Sequence, residues 1–319
     1  MKTFLILVLA LTSFVTTHAQ DSYPNRAIRI VVPYGPGNMT DNYARIVGQK
    51  LSEALKQPVV VENRPGASAI VGTQAVAQAA PDGYTLLFTA SGHVIAPVTY
   101  KKPPFDPVQD FAPIGMAIEY PYYLIGATSL PATNVQQLIA YGKANPGRLN
   151  YGTLGEGSGG HLLGQIFEQV TGVKATHVPY RTTSGFLTGL QSGEVDFAFD
   201  SVGSAHPLVL SGKLRGFAVT ADKRVATAPE IPTLKEAGVN GFDALVWLGL
   251  LAPTKTPQPI IVKLNNALNQ AMQASDTKAR IERDGVRLAA GTPEQFAKRI
   301  RDDMAVWSAA AKRAGVALD

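Results

Sequence analysis

Two glycine-rich turns carry residue types and a spacing that can grip a small anion. Gly35-Pro36-Gly37-Asn38-Met39-Thr40-Asp41 follows the apolar run Ile28-Arg29-Ile30-Val31-Val32-Pro33. Gly155-Glu156-Gly157-Ser158-Gly159-Gly160 follows Leu149-Asn150-Tyr151-Gly152-Thr153-Leu154. Each turn precedes an amphipathic stretch. A glycine turn that opens a helix lets backbone N–H groups approach a ligand, and the helix dipole favours negative charge there. Two such turns on one chain point to two lobes closing on a single anion.

Side chains near the turns could add to that grip. Thr40, Asp41 and Ser158 are residue types that cap helices, and the two hydroxyls could also reach a ligand oxygen. His161 falls in the first turn of the second helix, beside its apolar stripe, where packing is the alternative to a ligand contact. His93, after Ala90-Ser91-Gly92, reads the same way. Asp200 and Ser201 end a strand that faces the same expected cleft, and Asp200 could equally cap a helix starting near Gly203. Arg181 ends the neighbouring strand. A guanidinium fork is the natural bidentate partner of a carboxylate, with a surface salt bridge as the alternative. The expected ligand contacts are Tyr34, Gly37, Asn38, Thr40, Asp41, Ala90 and Ser91 on one side. On the other they are Gly155, Ser158, Gly159, His161, Arg181, Asp200 and Ser201.

Other chemistries fit less well. Gly155-x-Gly157-x-x-Gly160 matches a dinucleotide fingerprint, and Arg181 downstream mimics an NADP choice. An export signal at the N-terminus argues against nicotinamide chemistry. There is no G-x-S-x-G and no recognisable Ser-His-Asp order, so no catalytic residue is assigned. The five histidines show neither H-x-x-x-H nor H-E-x-x-H spacing, which predicts no metal, and no cofactor is expected.

Such residues need strands that end at the turns and helices that begin there. Strand-like runs alternate with helical stretches, which reads as α/β with mostly parallel strands. The first lobe is expected to hold strand 28–33, a helix over about 41–56, strand 59–61, a loop at 63–66, a helix over about 70–79 and strand 84–88. Five prolines mark 97–113 as a loop, and an apolar strand over about 114–127 follows. The second lobe runs helix 133–144, strand 149–154, helix 159–171, strand 175–179, helix 184–191 and strand 195–199. The chain then returns through strand 214–219, strand 245–251 and helices over about 257–273 and 293–314. Residues 20–124 and 219–319 thus form lobe 1, and 125–218 form lobe 2. Open α/β sheets bind ligands at the carboxyl ends of their strands, where both turns lie.

Composition bounds the setting. Lys2, the apolar run Phe4 to Leu11 and Thr17-His18-Ala19 read as a secretory signal over 1–19, cleaved near Ala19-Gln20. The chain has no cysteine, which removes disulfides, thiol nucleophiles and thiolate metal sites, so stability must come from an ordinary core. The formal net charge of +5 is scattered without a basic block, which argues against nucleic-acid binding.

A family resemblance emerges from the order of short motifs. Tyr23-Pro24-x-Arg26-x-Ile28 is followed by Val32-Pro33-Tyr34-x-x-Gly37 and Asp41, then Val60-x-Glu62-Asn63-Arg64-Pro65-Gly66-Ala67. Ala80-Pro81-Asp82-Gly83-Tyr84-Thr85-Leu86-Leu87 and Asn145-Pro146-Gly147-x-Leu149-Asn150-Tyr151 come next. His177-Val178-Pro179-Tyr180-Arg181, Gly193-x-Val195-Asp196 and Trp247-x-Gly249-Leu250-x-Ala252-Pro253 complete the set. Together they resemble the substrate-binding receptors of tripartite tricarboxylate transporters, the Bug family. The resemblance implies a type II periplasmic binding protein, monomeric and not an enzyme. Family members take carboxylates, acidic amino acids or aromatic acids; this chain is expected to capture a di-, tri- or aromatic carboxylate between two α/β lobes and deliver it to large and small permease subunits. A sensor presenting a bound acid or acidic amino acid to a receptor kinase, or a periplasmic enzyme, stays open as an alternative. The family's first turn usually has a second glycine where this chain has Asn38. Asparagine tolerates left-handed backbone, and its amide is expected to extend onto the pocket rim.

Overall fold

The computed structural model describes residues 23–67, 69–98, 104–156, 158–240 and 245–314. The expected signal segment and Gly157 lie outside these residues. One half of the molecule is built on β1 (Ile28–Val32), β2 (Val59–Asn63), β3 (Thr85–Ala90) and β9 (Leu245–Pro253). The other is built on β5 (Leu149–Thr153), β6 (Ala175–Pro179), β7 (Phe197–Ser201) and β8 (Leu214–Val219). The seventeen-residue β4 (Phe111–Ala127) runs through both. Its residues up to Pro121 pair antiparallel with β9, and from Tyr122 onward it pairs antiparallel with β7 and, from Tyr123, with β8. Within each half the leading strands are parallel: β1 with β2 and β3, and β5 with β6 and β7. The short β10 (Arg287–Leu288) edges β4. The result is the type II periplasmic binding protein architecture, two α/β lobes with a central cleft and hinge.

Local sequence explains why helices start beside the cleft. Helix α1 (Met39–Leu55) buries Tyr43, Ala44, Val47, Gly48 and Leu51, a stripe of helical period, and ends at Lys56 with φ 55°. Helix α5 (Gly159–Thr171) buries Leu162, Leu163 and Phe167 and stops at Gly172, left-handed at φ 76°. Helix α6 (Thr183–Ser192) likewise stops at Gly193. Helices α2 (Ile70–Ala77), α3 (Gly92–Val98), α4 (Val135–Ala144) and α7 (Val202–Leu210) complete the crossovers. Helices α8 (Gln258–Gln273), α9 (Ser275–Arg283) and α10 (Pro293–Ala314) cover the first half. Under α10, Trp247 packs edge-on against Phe296 at 4.9 Å and donates from Nε1 to Asp303 at 2.8 Å.

Several expectations shift. The loop expected over 97–113 gives way to strand at Phe111, because Phe111, Ala112 and Pro113 pair with Pro253, Ala252 and Leu251. The register shift between Pro113 and Gly115 accommodates the proline in the ladder. The strand expected at 195–199 lies two residues later, at Phe197–Ser201. Helices α3 and α9 were not anticipated, being short, and α9 is mostly polar with only Thr277 and Ile281 buried.

Candidate functional site

The carboxyl ends of β1, β3, β5, β6 and β7 all open onto one cavity of about 1200 Å³. Of the residues expected to contact a ligand, Tyr34, Gly37, Asn38, Thr40 and Ala90 line it from the first half. Gly155, Ser158, Gly159, Arg181, Asp200 and Ser201 line it from the second. Sequence reasoning missed Tyr43, Tyr120, Tyr122, Thr182, Ser204, Arg280 and Asp284, which also face it. Tyr120 and Tyr122 sit in a long run that is apolar but for Glu119 and reads as buried strand, so little local marks them. Tyr180 was visible only as part of a motif, and it lines the wall beside Arg181.

Four helices, α1, α5, α6 and α7, point their N-termini at this space. The first N–H groups of a helix have no intrahelical acceptor. Three side-chain caps satisfy the third amide each time: Asn38 Oδ1 accepts from Asp41 N, Ser158 Oγ from His161 N and Thr182 Oγ1 from Gly185 N. The amides of Met39 and Thr40, Gly159 and Gly160, and Thr183 and Ser184 lie between each cap residue and the amide it caps. They and the helix dipoles favour an anion.

The first turn is built differently from its expected form. The cap of α1 is Asn38, not Thr40 or Asp41. Asn38 is extended, with φ −81° and ψ 173°, while Gly37 carries the left-handed conformation at φ 85°. The Asn38 amide folds back, donating to Gly35 O at 2.9 Å while Oδ1 serves the cap, so it does not extend onto the rim. Asp41 does not line the cavity. It is buried, accepting from Gly37 N at 2.9 Å, Asn63 Nδ2 at 2.8 Å and Arg45. Burial alone would raise its carboxyl. The hydrogen bonds from Arg45, Gly37 and Asn63 and the Arg45 charge outweigh that and hold it below the usual range. Asp41 therefore clamps the turn.

Ser91 and His161 also fall away from the cavity. Ser91 is fully buried behind Ala90, its amide donating to Trp247 O at 3.1 Å. His161 is buried against His177 with ring centroids 4.3 Å apart, and Gln165 Nε2 lies 3.1 Å from its ring nitrogen. Burial lowers its pKa, and burial together with the His161 charge pushes His177 down to about 4. A packed neutral pair suits the apolar stripe on which His161 sits. His93 is packed too, at 4.8 Å from the Phe111 ring, with its pKa pushed by burial to about 4.

The second turn is tight against an aromatic ring. A Cβ at Gly159 would lie 1.7 Å from the Tyr122 hydroxyl, so only glycine admits that ring at the start of α5. Ser158 Oγ donates to Gly155 O at 2.7 Å and so closes the turn while capping.

Charged groups in the cavity are few. Arg280 Nε binds Asp284 Oδ2 at 2.6 Å, and Tyr43 donates to the same oxygen at 3.2 Å. Arg181 is exposed and lies beyond the end of β6. Asp200 is the last residue but one of β7 and accepts from Ser204 Oγ in the first turn of α7. Its pKa is pushed up to about 6 by burial, against the Ser204 hydroxyl and the Ser201 amide. No cation enters that balance, and the strands are not neighbours as expected: β5 lies between β6, which Arg181 follows, and β7. Across the cleft, Met39 from α1 meets Gly203 of α7, where a Cβ would come within 2.4 Å of the methionine methyl.

Comparison with known proteins agrees with this geometry. Residues 43–316 match the tripartite tricarboxylate transporter family receptor model. Protein BugT of Bordetella pertussis is 33% identical over 300 residues, covering 93% of this chain and 92% of its own. The periplasmic binding protein BugD has 34% identity and a TM-score of 0.86, covering 92% of this chain and 99% of its own. MatC from Rhodopseudomonas palustris, solved with bound malate, has 31% identity and a TM-score of 0.85 over 90% of this chain and 99% of its own. An R. palustris protein solved with adipate has 33% identity and a TM-score of 0.87 over 92% and 99%. With its matched residues, its two-lobed fold and its cleft of helix N-termini, the chain belongs to the receptor family of the tripartite tricarboxylate transporters.

Proposed function

We propose that this protein is a periplasmic receptor that captures a small di-, tri- or aromatic carboxylate in the cleft and delivers it to the permease subunits of a tripartite transporter. The observation that carries the reading is the convergence of four helix N-termini, two of them opened by glycine turns, on one cavity. Relatives bound to malate and to adipate support the carboxylate class. A lobe division at 20–124 with 219–319 against 125–218 accords with β4, which changes partners at Tyr122. Closure would be driven only by the ligand's higher affinity for the closed form. The receptor acts as a monomer after loss of residues 1–19.

A thermal-shift screen over mono-, di- and tricarboxylates, aromatic acids and acidic amino acids tests this. A ligand at 100 times its Kd adds roughly 2.7 kcal/mol of stability. Calorimetry on the hit should give one ligand per chain, recovered unchanged. Steady product formation would replace the receptor with an enzyme, and no response to any acid would remove the carboxylate reading.

A further inference from the structure

Asp200 is out of keeping with the rest of the cavity. The donors that converge there are the amides of four helix N-termini, the hydroxyls of Tyr120, Tyr122 and Thr40, and Arg181; the Ser204 hydroxyl is spent on Asp200. The other cavity carboxylate, Asp284, is committed to Arg280 and Tyr43. So many donors suit a ligand made of acceptor oxygens, and they offer an ammonium group little. Asp200 alone would repel such a ligand if it stayed ionised.

Resting on the receptor reading above, we propose that the ligand is an amine-free acid and that its binding is coupled to uptake of one solvent proton on Asp200. The protonated carboxyl then donates a hydrogen bond toward the ligand, and the pairing of two anions is avoided. Its free-state pKa of about 6 places the proton within easy reach at neutral pH, and a bound anion raises it further. Burial is the main cause of that value, not a charged neighbour.

The groups around Asp200 do not supply the proton. Tyr120 and Tyr122 on β4 are raised by burial, and His161 on α5 is lowered by burial. Tyr151 on β5 is raised by burial, and so is Tyr123, the register partner of Asp200. Arg181, Arg280 and Asp284 complete the charged set facing the cavity. His206 on α7 packs on the Tyr123 ring at 6.3 Å and needs its own control.

The experiment is calorimetry with adipate, malate and aspartate at pH 6 and pH 8, each in two buffers of different ionisation heat. Wild type should bind adipate or malate with close to one proton taken up at pH 8. From a pKa of about 6, affinity should fall about fifty-fold between the two pH values if only the protonated site binds. Asp200→Asn should flatten that dependence to a few-fold, and His206→Gln should keep it. The buffer comparison needs no variant, so a poorly folding Asp200→Asn leaves the test intact. Binding without proton uptake, or pH dependence that survives in Asp200→Asn, overturns the coupling while sparing the receptor. Aspartate binding tightest, with affinity lost in Asp200→Asn, overturns the amine-free class. Failure of every acid to bind at either pH removes the receptor reading and this inference with it.

Discussion

Replacing Gly159 with alanine puts the central contact of the site under direct test. The new methyl would lie 1.7 Å from the Tyr122 hydroxyl and 2.7 Å from its Cζ. Neither distance is tolerable, so either α5 or the ring must move. The helix has little freedom. A Cβ at Gly160 would lie 3.0 Å from Phe199 O, and one at Gly164 would meet the Tyr151 ring at 2.3 Å. The ring is the softer partner, because Tyr122 borders the open cavity. Overpacking costs about 1–3 kcal/mol, and a ring that can swing into solvent space belongs at the low end. Stability should fall by about 1 kcal/mol, a melting shift of a few degrees at this size. The displaced ring then occupies the space before the α5 amides, so carboxylate affinity should drop at least tenfold, or about 1.4 kcal/mol. Tyr122→Phe removes the oxygen but leaves a ring carbon at 2.7 Å, so the double variant should recover only part of both losses. Thermal unfolding and calorimetry on the four proteins give the coupling energy, expected at about 0.5–3 kcal/mol for residues in contact. A Gly159→Ala protein that melts and binds as wild type, or strictly additive effects, would refute the argument.

Three further outcomes are expected. Asp41→Asn should lose about 1.5–3 kcal/mol at neutral pH, because it weakens charge-assisted bonds to a buried carboxyl. The native Asp41 pKa is depressed, so this stabilisation is present above the unfolded carboxylate value and lost as pH falls through the native one. Urea unfolding of the two proteins should therefore converge on acidification, and a gap that persists there would sink the clamp. Asp200 has the opposite sign: its native pKa of about 6 is raised, so ionisation costs stability as pH rises from about 4 through 6. Asp200→Asn should then gain up to about 3 kcal/mol of stability at pH 8 and little at pH 4, and a loss at pH 8 would contradict the burial argument. Gly203→Leu should wedge the α7 turn against Met39, which it already meets, and weaken binding several-fold; unaltered affinity would show that this contact plays no part in binding.

Much of the architecture was legible because periodicity and punctuation agree in this chain. The stripe Tyr43, Val47, Leu51 defines α1, and Gly172 and Gly193 end α5 and α6 as left-handed caps. Both glycine turns announce where the cleft lies. What stayed hidden were choices decided by tertiary contacts. Asn38, Thr40 and Asp41 are all competent caps, and only the hydrogen bonds to Gly35 O and from Asn63 select the first as cap and the last as clamp. His161 on an apolar stripe could face a ligand or a neighbour, and its partner His177 lies on β6, a strand away in sequence. The tyrosines of β4 were concealed by their apolar surroundings, since a strand that crosses from one sheet to another is read locally as core throughout.

Division of labour within the cleft follows from the chemistry of its walls. Amides at helix N-termini recognise a carboxylate but are indifferent to the carbon skeleton behind it, because backbone donors look alike in every such turn. Selection among acids therefore has to come from side chains, and the candidates around the cavity are Tyr120, Tyr122, Tyr180, Phe186, Arg181 and Asp200. Aromatic faces admit or reject by shape, where one methylene is worth only about 1–3 kcal/mol. A buried acid discriminates more sharply, because it must be either neutralised by a proton or matched by a donor on the ligand. On the proposed reading, the glycine turns would set whether an acid binds at all, while Asp200 and the tyrosines of β4 would set which acid and at what pH.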